Sequence, residues 1–239
     1  MLRVLGGLVV VVISFAATLL FFSYLDGTKA PVTTAPSAES KPQAPSSKPP
    51  AEQIKPPTAS TGTNLISPSE DFSHANWKLE RASIIADAEI APDGKKTADK
   101  LVESQENGVH QISTTVLGIR ANSTYTVSIF VKPAARDGML FEILDTRAGK
   151  YGTARFNLRE AAPPVKAGDI LDVGMEKASN GWIRCWATMP FATDKALLNF
   201  AMVGPTSQVY TGDGKSDLMI WGAQLENASR PGDYQAAAR

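Results

Sequence analysis

From Thr63 onward the chain is built of short runs in which apolar and polar side chains alternate, separated by Gly, Pro, Asn and Asp. A strand sends successive side chains to opposite faces, so each run predicts a strand with one buried side. Tyr125-Thr-Val-Ser-Ile-Phe-Val131 alternates strictly, and Met139–Leu144 and Ala154–Leu158 flank the turn-rich DTRAGKYG. Leu197–Val203 and Leu218–Leu225 add two more strands, and Asn180-Gly181 is a type I′ hairpin signal. No amphipathic helical period of useful length interrupts them. The pattern predicts an all-β domain over residues 63–239, an antiparallel β-sandwich of the jelly-roll kind, long enough for a single core.

The same parity nominates a site. In NGWIRCWATM, Asn180–Met189, the set Ile183, Cys185, Ala187 and Met189 makes the better core face, because cysteine behaves as a small, buried hydrophobe. Trp182, Arg184 and Trp186 then point the other way, and the expected arrangement is an aromatic–cation–aromatic ladder. A flat aromatic beside a fork of fixed donors suits sugars, whose apolar C–H faces are rimmed by hydroxyls. Parity on other strands adds Glu142, Arg155, Asn157 and Asn199, expected to join one polar face with Arg184 and Trp186 at its centre. The competing reading has Trp182 fixing the hairpin turn and Trp186 covering the core edge, with Arg184 laid along it. Tyr151 and Tyr210, beside glycine turns, either line loop edges or pack within loops.

Ahead of the domain stand two segments of different character. Val4–Leu25 carries no charge between Arg3 and Asp26, and at about 1.5 Å per residue it is just long enough to cross a bilayer core of roughly 30 Å. Residues 1–26 therefore read as an uncleaved single-pass membrane anchor; a cleaved signal peptide, giving a secreted protein, is the alternative. Arg3 and the amino terminus favour the cytoplasmic side, which places the domain in the periplasm or outside the cell. Residues 27–62 hold half of the 16 prolines and one large apolar residue, Ile54. Such a segment reads as a disordered spacer with a reach on the order of 100 Å if fully extended.

Charge and composition narrow the function classes. With 24 basic and 24 acidic residues the chain lacks the basic excess that nucleic-acid binding needs. Cys185 is the single cysteine, which rules out an internal disulfide and leaves the two histidines without a zinc pattern. No nucleophile elbow, phosphate loop or metal-helix motif is present, so no catalysis and no cofactor are expected. TGDGKSD, Thr211–Asp217, places Asp213 and Asp217 among glycines and raises a structural calcium. The stretch lacks a full calcium-loop pattern, however, and a hairpin turn explains the same residues.

Five segments taken in order carry a resemblance: NLISPSEDFSHANW, APDGKKTADKL, TYTVSIFVKPA, NGWIRCWATM and YTGDGKSDLMIWGAQLENASRPGDY. Together they resemble the carbohydrate-binding-like jelly-roll domains of phage tail-fibre and bacterial surface proteins, related in fold to galactose-binding-like domains; WGAQLE followed by Pro and Tyr is the most specific part. The resemblance implies that Trp77 and Trp221 are core residues. Trp186 departs from it, since a smaller residue is usual there, as does a single copy behind an apolar N-terminal run. The expectation is a membrane-anchored, non-catalytic binder of envelope or extracellular polysaccharide. A structural or protein-interaction sandwich, or a phage or prophage tail-associated adhesin, is second, and a glycan-modifying enzyme third.

Overall fold

The computed structural model describes residues 63–159 and 162–237; the expected anchor and spacer lie outside them. No helix among the described residues is long and apolar enough to cross a membrane. The strands in chain order are β1 (Lys78–Glu80), β2 (Ala82–Glu89), β3 (Ala98–Glu103), β4 (Asn107–Gly108), β5 (His110–Leu117), β6 (Ser123–Pro133) and β7 (Gly138–Asp145). They continue as β8 (Lys150–Asn157), β9 (Val165–Gly168), β10 (Asp172–Lys177), β11 (Ile183–Phe191), β12 (Lys195–Val203), β13 (Tyr210–Thr211) and β14 (Asp217–Glu226). All five strands read from the sequence are present, within β6, β7, β8, β12 and β14.

Two six-stranded antiparallel sheets face each other, the first ordered β1-β5-β12-β7-β8-β9 and the second β10-β11-β6-β14-β3-β2. Of the strands β3, β5, β6, β7, β8, β11, β12 and β14, the second, seventh, fourth and fifth are neighbours in the first sheet, and the sixth, third, eighth and first in the second. That interleaving is the double Greek key of a jelly roll. Between the sheets lies one core containing Ile112, Phe141, Phe156, Cys185, Met189, Phe200 and Trp77. Cys185, Ala187 and Met189 are fully buried there, as the parity of β11 predicts, and Ile183 is half-buried against them. Trp221 is also buried, but in a smaller cluster with Phe130 and Trp182 outside the second sheet.

The β10–β11 connection is a hairpin with positive φ at both Asn180 and Gly181, but it is a three-residue turn closed by Ala178 and Trp182 rather than a two-residue one. At the same end of the domain as the β7–β8 turn, buried Asp145 ties that turn to the β11–β12 connection. Its carboxylate accepts the amides of Ala148, Ala192 and Thr193 at 3.2, 2.8 and 2.9 Å, and the Thr193 hydroxyl.

Burial pushes the Asp145 carboxyl up, but the Thr193 hydroxyl and these amides outweigh it and hold it below the usual carboxylate range. A depressed folded-state pKa means that the contribution is complete above the unfolded value of about 3.9 and is lost as pH falls through the folded one. Asp145→Asn is expected to destabilise the domain by about 1.5–3 kcal/mol at neutral pH. Denaturant melts of the two proteins should converge as the pH falls below about 3.9.

Candidate functional site

The two sheets differ in how their outer faces are used. In the second sheet the central strands are buried on both sides: Thr126, Ser128 and Phe130 of β6, Arg184, Trp186 and Thr188 of β11, and Gln224 and Glu226 of β14 all point away from the core yet exclude solvent. The cover is the chain's own C-terminal segment, residues 228–237, which crosses this face as a strap. Thr126 and Thr188 hydroxyls donate to the carbonyls of Ala228 and Ser229 at 2.9 and 3.2 Å. Arg184 Nη1 donates to Gly232 O at 2.5 Å, while its Nε and Nη2 reach Ser128 Oγ. Glu226 accepts the Gly232 amide at 3.0 Å and Gln224 accepts the Gln235 amide at 2.8 Å.

WGAQLE is therefore the receptor for the strap that follows it. Its alternate polar residues, Gln224 and Glu226, face the returning chain. Gly222, in a bulge with φ of 61°, leaves room for the Tyr234 ring, which a Cβ would meet at 3.1 Å. Tyr234 packs on Trp221 with ring centroids 4.6 Å apart and edge-on to Phe130 at 5.8 Å.

The expected aromatic–cation–aromatic ladder is thus present in register but not exposed. Trp182, Arg184 and Trp186 are 1%, 7% and 4% accessible. Trp182 donates its indole N–H to Ile90 O at 2.9 Å and packs against Ala91, so its side chain holds the β2–β3 connection rather than its own hairpin turn. Burial lowers the Arg184 pKa, while the charges of Glu226, Glu176 and Asp233 push it back up. Trp186 lies over Gly174 of the neighbouring strand, where a Cβ would come within 2.5 Å of the ring, and carries the Arg230 guanidinium 5.5 Å above it.

Glu142, Arg155, Asn157 and Asn199 belong to the other sheet. All four share the outer face of the first sheet, so the expected single face centred on Arg184 is two faces on opposite sides of the sandwich. Strand register places Lys78, Ser113, Asn199, Glu142 and Thr153 in one row across β1, β5, β12, β7 and β8. At about 4.8 Å per strand the row spans roughly 19 Å. Along one side runs Thr115, Leu197, Leu144 and Tyr151; along the other, Gln111, Ala201, Leu140 and Arg155. Asn157 stands one row further, opposite Gly138, and its side chain accepts the Arg159 amide.

The row is half-exposed, while Leu140 and Ala201 beside it are buried with Val203 against Val109. Glu142, next to Asn199 at the middle, takes the Tyr151 hydroxyl at 3.2 Å and the Asn199 amide at 3.4 Å on its two oxygens. Tyr151, missed as a face residue because it adjoins a glycine turn, is 43% exposed, and burial together with the Glu142 charge pushes its phenol up to about 12. A shallow depression of about 310 Å³ opens at the other end, lined by Asn76, Lys78, Ser113, Thr114, Thr115 and Leu197.

The TGDGKSD carboxylates turn to the protein's own donors. Asp213 takes the amides of Lys215 and Ser216 and the Ser216 hydroxyl, each at 2.7 Å. Asp217 pairs with Lys100 at 2.8 Å. Tyr210 donates to the buried Glu103, which Arg136 grips at 2.8 and 2.6 Å. This constellation seats a turn, and no group of three potential metal ligands occurs among the described residues.

No known protein family and no curated protein matches the sequence. Solved structures with a similar arrangement include the enzymatically active domain of tailspike protein 4 of bacteriophage CBA120, 14% identical, with 69% of this chain and 21% of that one covered and a TM-score of 0.43. Two carbohydrate-binding modules are also among them. TmCBM61, solved with β-1,4-galactotriose, is 11% identical over 70% of this chain and 99% of its own, with a TM-score of 0.42. The xylan-binding CBM22-1 of Paenibacillus barcinonensis Xyn10C is 16% identical over 69% and 94%, with a TM-score of 0.39. Likeness at this distance carries nothing about ligand or site.

The contrast between the two faces has a direct readout. Trp186→Ala is expected to cost about 3–5 kcal/mol, the range for removing a large buried aromatic. Tyr151→Ala, on the open face, is expected to stay within about 0.5 kcal/mol of the parent. Thermal melts of the two variants side by side check both values.

Proposed function

We propose that the chain is a non-catalytic binder of polysaccharide, held to a membrane by residues 1–26, with its domain presented on the spacer outside the cytoplasm. The glycan lies on the open outer face of the first sheet. One observation carries this reading: a row of half-exposed hydrogen-bonding side chains in register on five neighbouring strands, flanked by Leu197, Leu144 and the exposed ring of Tyr151. A sugar chain crossing the strands would meet acceptors at Glu142, donors at Asn199, Lys78 and Arg155, and one aromatic surface for stacking. Shallow contact of this kind gives weak affinity per domain, raised when several copies meet a repetitive polymer.

Charge spacing supports binding without turnover. Glycoside hydrolysis uses two carboxyl groups about 5–9.5 Å apart. The strand carboxylates on this face among the described residues, Glu142 and Glu80, stand on β7 and β1, three strand spacings apart, or roughly 14 Å.

A protein-interaction role is favoured by a different observation: Leu117 and Val165, at the rims of the same sheet, are 69% and 68% exposed.

The experiment is a polysaccharide array, bacterial envelope and plant, probed with the fragment from Thr63 to Arg239. Tyr151→Ala, and Glu142→Gln combined with Asn199→Ala, should each weaken binding about tenfold or more, equivalent to about 1.4 kcal/mol, with melting temperatures unchanged. A folded wild-type fragment that binds nothing on the array would move the assignment to the protein-interaction reading.

A further inference from the structure

The strap uses only part of what the face beneath it offers. Trp186 Nε1 and Glu226 Oε2 are buried with no hydrogen-bond partner among the described residues. Both belong to side chains more than nine-tenths buried and both stand on the outer side of the second sheet. A buried donor or acceptor left unmade is a standing penalty that a better-matched occupant would remove. Between them Arg184 spends its donors on one serine hydroxyl and one strap carbonyl, with the Glu226 carboxylate 4.0 Å away.

The strap is held by polar contacts to its main chain and buries little apolar surface of its own. Thr126, Thr188, Arg184, Gln224 and Glu226 bond its main chain from the sheet, and Asn64 and Ser69 bond it near its end. Its side-chain anchorage comes chiefly from Tyr234 and from Arg230, which bridges to Asp172 at 3.1 Å above Trp186 while remaining 61% exposed. Gly232 is the one buried residue between Asn227 and Ala237. Segments with so little buried apolar surface open locally at low cost.

We propose that residues 228–237 are a displaceable occupant, and that the face beneath them is a second saccharide site, opened when the strap lifts. The indole of Trp186 would stack on the C–H face of a sugar ring, its N–H and the Arg184 fork would take hydroxyl oxygens, and Glu226 would accept from hydroxyls. A polyhydroxylated ring is the ligand class that supplies donors, acceptors and an apolar face together. The site is separate from the first-sheet face, although its ligand class rests on the glycan reading above.

The test begins with hydrogen exchange on the intact chain. The amides of Gly232, Gln235 and Ala237, which donate to side chains of the body, should exchange at least 100-fold faster than those of Cys185 and Ala187 in β11. Equal rates would make the strap part of the cooperative core and overturn the proposal. The array is then repeated with intact-chain Tyr151→Ala, which weakens the first face, alone and combined with Arg230→Ala or with Tyr234→Ala. Strap loosening should raise binding about tenfold over Tyr151→Ala alone, and adding Trp186→Phe should abolish the gain. No gain in the folded Arg230→Ala background would sink the second site while leaving the first intact. Binding by neither wild type nor any variant would remove both.

Discussion

The return of the chain end across its own second sheet decides which surfaces this domain has to offer. Five side chains that point away from the core, Thr126, Thr188, Arg184, Gln224 and Glu226, take up main-chain groups of residues 228–235. Without that cover, a buried guanidinium and carboxylate, and two tryptophans, would stand in water. With it, the second sheet is packed on both faces and the domain has three layers at that side: core, sheet and strap.

The consequence is an asymmetric sandwich. On the second sheet most outward polar groups are small or bonded to the strap, with Trp186 Nε1 and Glu226 Oε2 the exceptions. On the first sheet the outward groups are longer and mixed in charge, from Lys78 through Glu142 to Arg155; Leu140 and Ala201 are buried there with Val203 against Val109, and the row from Lys78 to Thr153 is left half-exposed. The one carboxylate at the centre, Glu142, is oriented by two neighbours, Tyr151 and Asn199. Those two bonds hold the Glu142 carboxylate in one orientation on a half-exposed face.

Parity was legible in the sequence, and it placed the residues of β11 up to Met189 on the correct side: Cys185, Ala187 and Met189 inward, Arg184 and Trp186 outward. What parity cannot express is whether an outward face meets water. Here the cover comes from residues some 40–100 positions away, and it is held through carbonyls and amides that every residue possesses. Nor does parity within a strand say which sheet the strand joins, so Asn199 and Trp186 looked like companions although their strands lie in opposite layers. A signal was present. Strands that face water usually carry Lys, Glu or Arg along their length, whereas the outward set in the middle of β6 is Thr126, Ser128 and Phe130, short or apolar side chains that suit a second layer, with Lys132 only at the strand's end. Tyr151 was discounted for its place beside a turn, yet strand β8 extends back to Lys150 and brings the ring onto the face.

The measurement that bears most directly on this account is hydroxyl-radical footprinting of the wild-type domain with and without each polysaccharide of the array. Protection of Tyr151, Leu144 and Leu197 on the first sheet, with Trp182 and Trp221 unreactive in both states, is the predicted result. Protection confined to the strap and β11, with the first-sheet residues equally reactive in both states, would contradict it.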